Sequence, residues 1–154
     1  SLYYYFQNKQ GILHALMRPY VEDLIARYRR CAARPGDARA RLQQLVHTSL
    51  EAMIDHPHEN AILQVELQRT FRARDFAYLR AAVEEIEGIY VAVIREGALA
   101  GQIRGDVEPR FLFRMLMDVV KGTAYWFDPR EHRISEVTAG WWKVLGEGVF
   151  APHR

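Results

Sequence analysis

Phe111-Leu112-Phe113-Arg114-Met115-Leu116-Met117-Asp118-Val119-Val120-Lys121-Gly122-Thr123-Ala124-Tyr125-Trp126 is the stretch on which the fold turns. Its apolar residues return at intervals of three and four, the period of a helix, and they cover more than one face. Asp106 to Pro109 opens this helix, with Pro109 at the first position that tolerates a missing N–H, and Asp128-Pro129 breaks it. The same spacing runs through the rest of the chain, and no strict alternation lasts long enough for a strand. The expectation is an all-α domain of about six helices.

Working back from this segment, a fourth helix from Asp75 carries Leu79, Val83, Ile86, Tyr90, Val93, Ile94 and Ala98 in register and ends at the Gly101 to Asp106 turn. A third, from Asn60 to Phe71, carries Ile62, Leu63, Val65 and Leu67. A second runs from Ala38 to His56-Pro57, with Leu42, Leu45, Val46, Ser49, Leu50 and Met53 facing in. The first runs from Lys9 to Ala33 behind Asn8 as N-cap, kinked at Pro19 and stopped by Arg34-Pro35-Gly36-Asp37. Beyond the opening segment, Ser135 caps a sixth helix with Val137, Thr138, Trp141, Trp142, Leu145 and Val149.

The 154 residues are 49% hydrophobic and 26% charged with a net charge of +2, which fits one globular domain and excludes a disordered chain. A chain of this length hides roughly 70% of its unfolded surface, enough for a core without disulfides or a structural metal. Cys31 is the single cysteine and no signal-peptide pattern opens the sequence, so a cytoplasmic setting is expected. No apolar run approaches the roughly 20 residues of a membrane span. Only Lys9, Lys121 and Lys143 are lysines, an arginine bias that points to a high-GC bacterial source.

Ser1-Leu2-Tyr3-Tyr4-Tyr5-Phe6-Gln7-Asn8-Lys9 is unusual chemistry for a chain start. Adjacent helical residues point about 100° apart, so three successive tyrosines cannot share one core. Exposed phenols and an ammonium suit phosphate, sugar and thymine-methyl contacts; a frayed N-terminal turn is the plainer reading. Leu2-Tyr3-Tyr4-Tyr5-Phe6 with Lys9 and Ile12-Leu13 resembles the end of the recognition helix in TetR-family transcriptional regulators, with Tyr5 where the family usually has histidine. The resemblance extends to the six helices and the closing helical pair. Within the family it is most similar to actinobacterial regulators of steroid and fatty-acyl catabolism, through Ala26-Arg27-Tyr28-Arg29, Glu51-Ala52, Gln64-Val65-Glu66, Arg69, Phe76-Ala77-Tyr78 and Trp126.

The resemblance implies that residues 1-8 are the remnant of a helix-turn-helix DNA-binding domain and 9-154 an effector-binding and dimerisation domain. Tyr3, Tyr4, Tyr5 and Lys9 would contact operator DNA, while Leu2 and Phe6 pack the DNA-binding head. The first two helices of that head precede the motif in the family, so DNA binding is an expectation about the longer parent protein. It also implies a ligand-responsive regulator, most often a repressor, that leaves its operator when an effector favours a conformation with misplaced heads. The kinked first helix is the expected lever.

The effector cavity is expected among the second to fifth helices, with Met53, Gln64, Gln68, Phe71, Ile86, Tyr90, Met117, Lys121 and Tyr125 as its residues. The aromatic and methionine positions read equally as core. Lys121, in an otherwise apolar helix, either meets an acid such as Asp118 or Glu66, meets an anionic effector, or snorkels to the surface. The lipid-catabolism relatives suggest an acyl-CoA or other lipid-like anion, whose phosphates Arg69, Arg72, Arg74 and Arg80 would receive unless they form a solvated turn.

Phe111, Trp126, Trp141, Trp142, Leu145 and Val149 exceed what two terminal helices bury on one face, and a homodimeric four-helix interface would cover them. The competing readings are a helical small-molecule-binding or interaction module without DNA, and an enzyme. The latter has only Asp55-His56-Pro57-His58-Glu59 to offer, a weak chelating pair in a helix-ending turn. Neither a metal, a cofactor nor catalysis is expected.

Overall fold

A computed structural model describes residues 2–70 and 77–149, with side chains described for 9, 11–63 and 77–148. Its regular elements are six helices: α1 Leu2–Ala33, α2 Ala38–Asp55, α3 Pro57–Thr70, α4 Ala77–Leu99, α5 Pro109–Trp126 and α6 Ile134–Val149.

Three helix starts differ from expectation. Asn8 lies inside α1, which begins at Leu2, because no breaker among the preceding residues forces the backbone out of helical geometry ahead of it. Helix α3 begins at Pro57, whose absent N–H costs nothing at a first helical position. Asn60, the expected start, instead donates from Nδ2 to the Ala52 and His56 carbonyls, both at 3.1 Å, and so ties the end of α2 to α3. Ser135 is the second residue of α6; the Arg133 carbonyl already accepts from the Glu136 and Val137 amides.

The other boundaries follow from local chemistry. Asp37 caps α2 by accepting from the Ala40 amide at 2.7 Å, after Gly36 has turned the chain at φ 132°. Glu108 caps α5 through the Phe111 amide at 2.9 Å, with Pro109 at the first position. Helix α4 ends in a Schellman motif: the Gln102 amide donates to Gly97 O at 2.8 Å, the Gly101 amide to Ala98 O at 3.2 Å, and Gly101 takes φ 72°.

Helix α2 packs against each of the other five. Its buried stripe of Leu42, Leu45, Val46 and Leu50 meets Leu24 and Tyr28 of α1, Tyr90, Val93 and Ile94 of α4, and Leu112, Leu116 and Val120 of α5. A second cluster joins Met17, Val21 and Ile25 of α1 to Leu63 of α3 and Leu79 and Ala82 of α4. Cys31 is buried with its Sγ 3.4 Å from Thr48 Oγ1.

The α4 terminus is held to the start of α2 by close approach. A Cβ built on Gly97 would stand 2.5 Å from Ile103 Cδ1 and 3.0 Å from the Ala38 Cβ. Ile103 is itself buried, so its side chain would have to shift within the packed core. Gly97→Ala is therefore expected to destabilise the fold by about 1–3 kcal/mol, read as a lower urea midpoint at unchanged slope.

Candidate functional site

Five helices converge on a cavity of about 200 Å³. Its walls are Leu24 and Tyr28 of α1, Ser49, Ala52 and Met53 of α2, Asn60 and Leu63 of α3, Val83 and Ile86 of α4, and Phe113, Arg114, Met117, Asp118 and Lys121 of α5. The apolar members interrupt the core stripes where facing side chains leave a void. On α5, Arg114, Asp118 and Lys121 are spaced by four and three residues, on one face, and all three are exposed. The cavity thus has an apolar body and a charged mouth.

Of the expected effector residues, Met53, Ile86, Met117 and Lys121 come together in this wall. Lys121 does not need a buried partner, because it sits in the solvent-exposed rim. Tyr90 lies behind the wall, wholly buried, and meets the site through Ser49 and through its ring contacts with Tyr28 and Phe113. Tyr125, 93% exposed, stands outside the cavity one turn beyond Lys121. Phe71 and the side chains of Gln64 and Gln68 lie outside the described residues. Sequence periodicity missed the contribution of α1, since Leu24 and Tyr28 read simply as a core stripe.

The polar part of the wall is a hydroxyl relay. Ser49 Oγ is 2.6 Å from both Tyr28 Oη and Tyr90 Oη, and Tyr20 Oη accepts from Asn60 Nδ2 at 2.6 Å. Burial pushes the Tyr28 and Tyr90 phenols well above their ordinary value, outweighing the lowering by Ser49. Burial likewise pushes Tyr20 up to about 12 from 10.0, against the lowering by the Asn60 hydrogen bond. A phenol raised in this way contributes stability that is fully present below pH 10 and is lost as the pH rises toward 12. Urea midpoints are expected to fall across that window, and Tyr20→Phe to flatten part of the fall.

Outside the cavity, a groove of about 570 Å³ runs between α4 and α5, lined by Arg80, Arg95, Arg110 and Arg114 with Glu84 and Glu87. Arg110 pairs with Glu87 at 3.3 Å. Val83 and Arg114 line both spaces, so the groove adjoins the cavity mouth. Of the expected phosphate-binding arginines, Arg80 lies in this groove; Arg72, Arg74 and the Arg69 side chain lie outside the described residues.

A third feature is an uncovered apolar face. Phe111, Met115, Tyr125 and Trp126 of α5 and Val144 of α6 are exposed, Val144 at 80%. Gly122, Gly140 and Gly148 have open space where a Cβ would stand. Trp141, Trp142 and Leu145 are half-buried against the protomer core, and Trp141 Nε1 donates to Thr123 Oγ1 at 3.1 Å. The Val149 side chain lies outside the described residues. Of the motif residues, Lys9 is exposed, and Tyr3, Tyr4 and Tyr5 lie in α1 with side chains outside the described residues. His56, between α2 and α3, packs on Tyr20 and lies 3.9 Å from Glu59, and Pro57 and His58 open α3 rather than forming the expected turn; among the described residues no group of three or more metal-ligating side chains forms. No helix among them is long and apolar enough to cross a membrane.

Among the described residues six helices thus form a cavity behind α5 that opens to solvent and leave an apolar face open on α5 and α6. Residues 35–149 match the family model described as the tetracyclin repressor-like C-terminal domain, and the chain belongs to the TetR family of transcriptional regulators. It is similar to the HTH-type transcriptional repressor KstR2 of Rhodococcus jostii (strain RHA1), 30% identical over 156 residues spanning 100% of this chain and 76% of that protein. The structure of the ketosteroid transcriptional regulator KstR2 of Mycobacterium tuberculosis superposes with a TM-score of 0.85 at 25% identity, over 99% of this chain and 78% of that one. AibR, solved in complex with isovaleryl coenzyme A and operator DNA, shares the fold at a TM-score of 0.73 and 17% identity, over 93% of this chain and 77% of that one.

Proposed function

We propose that this chain is the effector-binding and dimerisation part of a ligand-responsive transcriptional repressor, which holds operator DNA as a homodimer and releases it when a small amphipathic anion enters the α1–α5 cavity. The observation that carries the reading is the cavity itself: about 200 Å³ with a mostly apolar wall, opening beside Arg114 and Lys121. An apolar body is favoured inside by burial and an anionic end by the two cations, which is the chemistry of an acyl-CoA or other lipid-like anion. Met53, Ile86, Met117 and Lys121 form the described part of the site. Gln64 and Gln68 would join it from α3.

Operator contact belongs to residues 1-8 and Lys9, through Tyr3, Tyr4 and Tyr5, in the protein that carries the whole helix-turn-helix. Dimerisation belongs to the α5–α6 face of Phe111, Met115, Trp126 and Val144, to which Tyr125 is reassigned from the effector set. Trp141, Trp142 and Leu145 support that face from beneath. Regulation without catalysis, in the cytoplasm, is part of the same reading, and the repressor name of the KstR2 relatives supports the regulatory role.

Native mass spectrometry of the gently purified protein reads subunit number and co-purified ligand together. A dimer carrying an acyl-CoA-like mass is the expected result. A ligand-free monomer that takes up no added acyl-CoA overturns the reading.

A further inference from the structure

Three hydroxyls and one amide meet at the inner wall of the cavity, and their protons can be assigned one by one. Ser49 Oγ stands 2.6 Å from Tyr28 Oη, 2.6 Å from Tyr90 Oη and 3.1 Å from the Leu45 carbonyl oxygen. A carbonyl only accepts, so the single Ser49 proton is committed to Leu45 O. Both phenols must then donate to the two lone pairs of Ser49 Oγ, the one arrangement that satisfies all three contacts. Tyr28 lines the cavity with its own proton already given away. Its oxygen retains lone pairs and has nothing left to donate.

Asn60 repeats the pattern. Its Nδ2 faces the Ala52 and His56 carbonyls at 3.1 Å and Tyr20 Oη at 2.6 Å. Two of these neighbours cannot donate, so the amide nitrogen must be the atom on that side. With the nitrogen so placed, the Oδ1 atom of this cavity-lining residue is left on the other side as an acceptor. Among the described residues the inner wall thus offers two acceptors, Tyr28 and Asn60, whereas the donors Arg114 and Lys121 stand at the exposed mouth.

We infer that the cavity discriminates at its inner end in favour of an effector carrying a hydrogen-bond donor, an alcohol or an amide N–H, over the ketone of the same shape, with Tyr28 and Asn60 as the specificity-determining residues. The inference rests on the cavity being the effector site. A ketone oxygen placed there would face lone pairs and lose its hydrogen bonds to water without replacement, whereas a hydroxyl can give its single proton to one of the two acceptors. Discrimination of about ten- to a hundredfold is the consequence.

Isothermal titration of the full chain with decalol and with decalone, matched bicyclic probes of a size for about 200 Å³, tests this directly. The alcohol is expected to bind about ten- to a hundredfold tighter. Tyr28→Phe should shrink that preference. Ser49→Ala, which releases the Tyr28 proton, should improve decalone binding and turn the preference toward the ketone. Thermal unfolding of both variants reports their folding, and each removes only one oxygen. Equal affinities, or a tighter ketone, overturn the inference and leave the cavity as an effector site. A wild-type preference that survives unchanged in both variants overturns the role of Tyr28. Binding of neither probe overturns the inference, while uptake of added acyl-CoA decides the effector-site reading separately.

Discussion

Met115→Glu combined with Trp126→Glu is expected to turn the dimer into a monomer. Both side chains are large, about half exposed in the protomer, and lie on the α5 stripe with Phe111. In a two-fold interface every substitution occurs twice, so four carboxylates would be brought together in a patch otherwise apolar. Aromatic anchors of this kind contribute about 2–4 kcal/mol each, and a tenfold change in dissociation constant is about 1.4 kcal/mol. Loss of Trp126 alone should then weaken association at least about thirtyfold, before the repulsion of the added charges. Sedimentation equilibrium reads the change. Helical content by circular dichroism should stay near that of the unsubstituted chain, because neither residue belongs to the protomer core. In the intact regulator the same variant should lose operator binding, since one reading head cannot span two half-sites. A variant that remains dimeric would move the interface elsewhere.

Met117→Trp is expected to close the cavity and leave a repressor that no longer responds. Met117 is half-buried on α5 and lines the space between Met53 and Ile86. Overpacking a filled core costs about 1–3 kcal/mol, but here the indole enters an existing void of about 200 Å³, so most of that strain is avoided. The variant should therefore unfold near the temperature of the unsubstituted chain while its affinity for an acyl-CoA probe falls by about a hundredfold or more. A ligand that cannot enter contributes no differential binding free energy to the two conformations, so operator release by effector should vanish with operator affinity retained. Undiminished acyl-CoA binding would place the effector in the α4–α5 groove instead.

The helical content and the composition of α2 and α4 were legible because burial on one side of a helix imposes a period of three to four, and Leu42, Leu45, Leu50, Tyr90 and Ile94 keep it. Boundaries were less legible where several residues could cap. Asn60 looked like a start and became an interhelical tie, because an amide can serve a neighbouring helix end as readily as its own. Asn8 looked like a cap and is interior, because capping needs a non-helical backbone that its neighbours do not provide. Of the expected interface residues Phe111 and Trp126 are exposed while Trp141, Trp142 and Leu145 are half-buried, and the exposed Val144 was not expected because a lone valine between Lys143 and Leu145 carries no pattern of its own.

What the sequence determined by itself is local and periodic: six helices, their inward stripes, and an aromatic motif at Tyr3, Tyr4 and Tyr5 that resembles TetR regulators, whose family match lies in residues 35–149. Those properties depend on spacing along one helix, which the sequence displays directly. Only the tertiary structure decided which of the inward residues enclose a void and which are packed solid. Met117 and Tyr90 have equally good core positions, yet one lines the cavity and the other is sealed behind Ser49. The difference arises where side chains from five helices meet and fail to fill the space between them, a sum over partners distant in sequence. The same holds for the proton inventory of Tyr28, Ser49 and Asn60, which exists only once α1, α2, α3 and α4 bring their oxygens within hydrogen-bond distance.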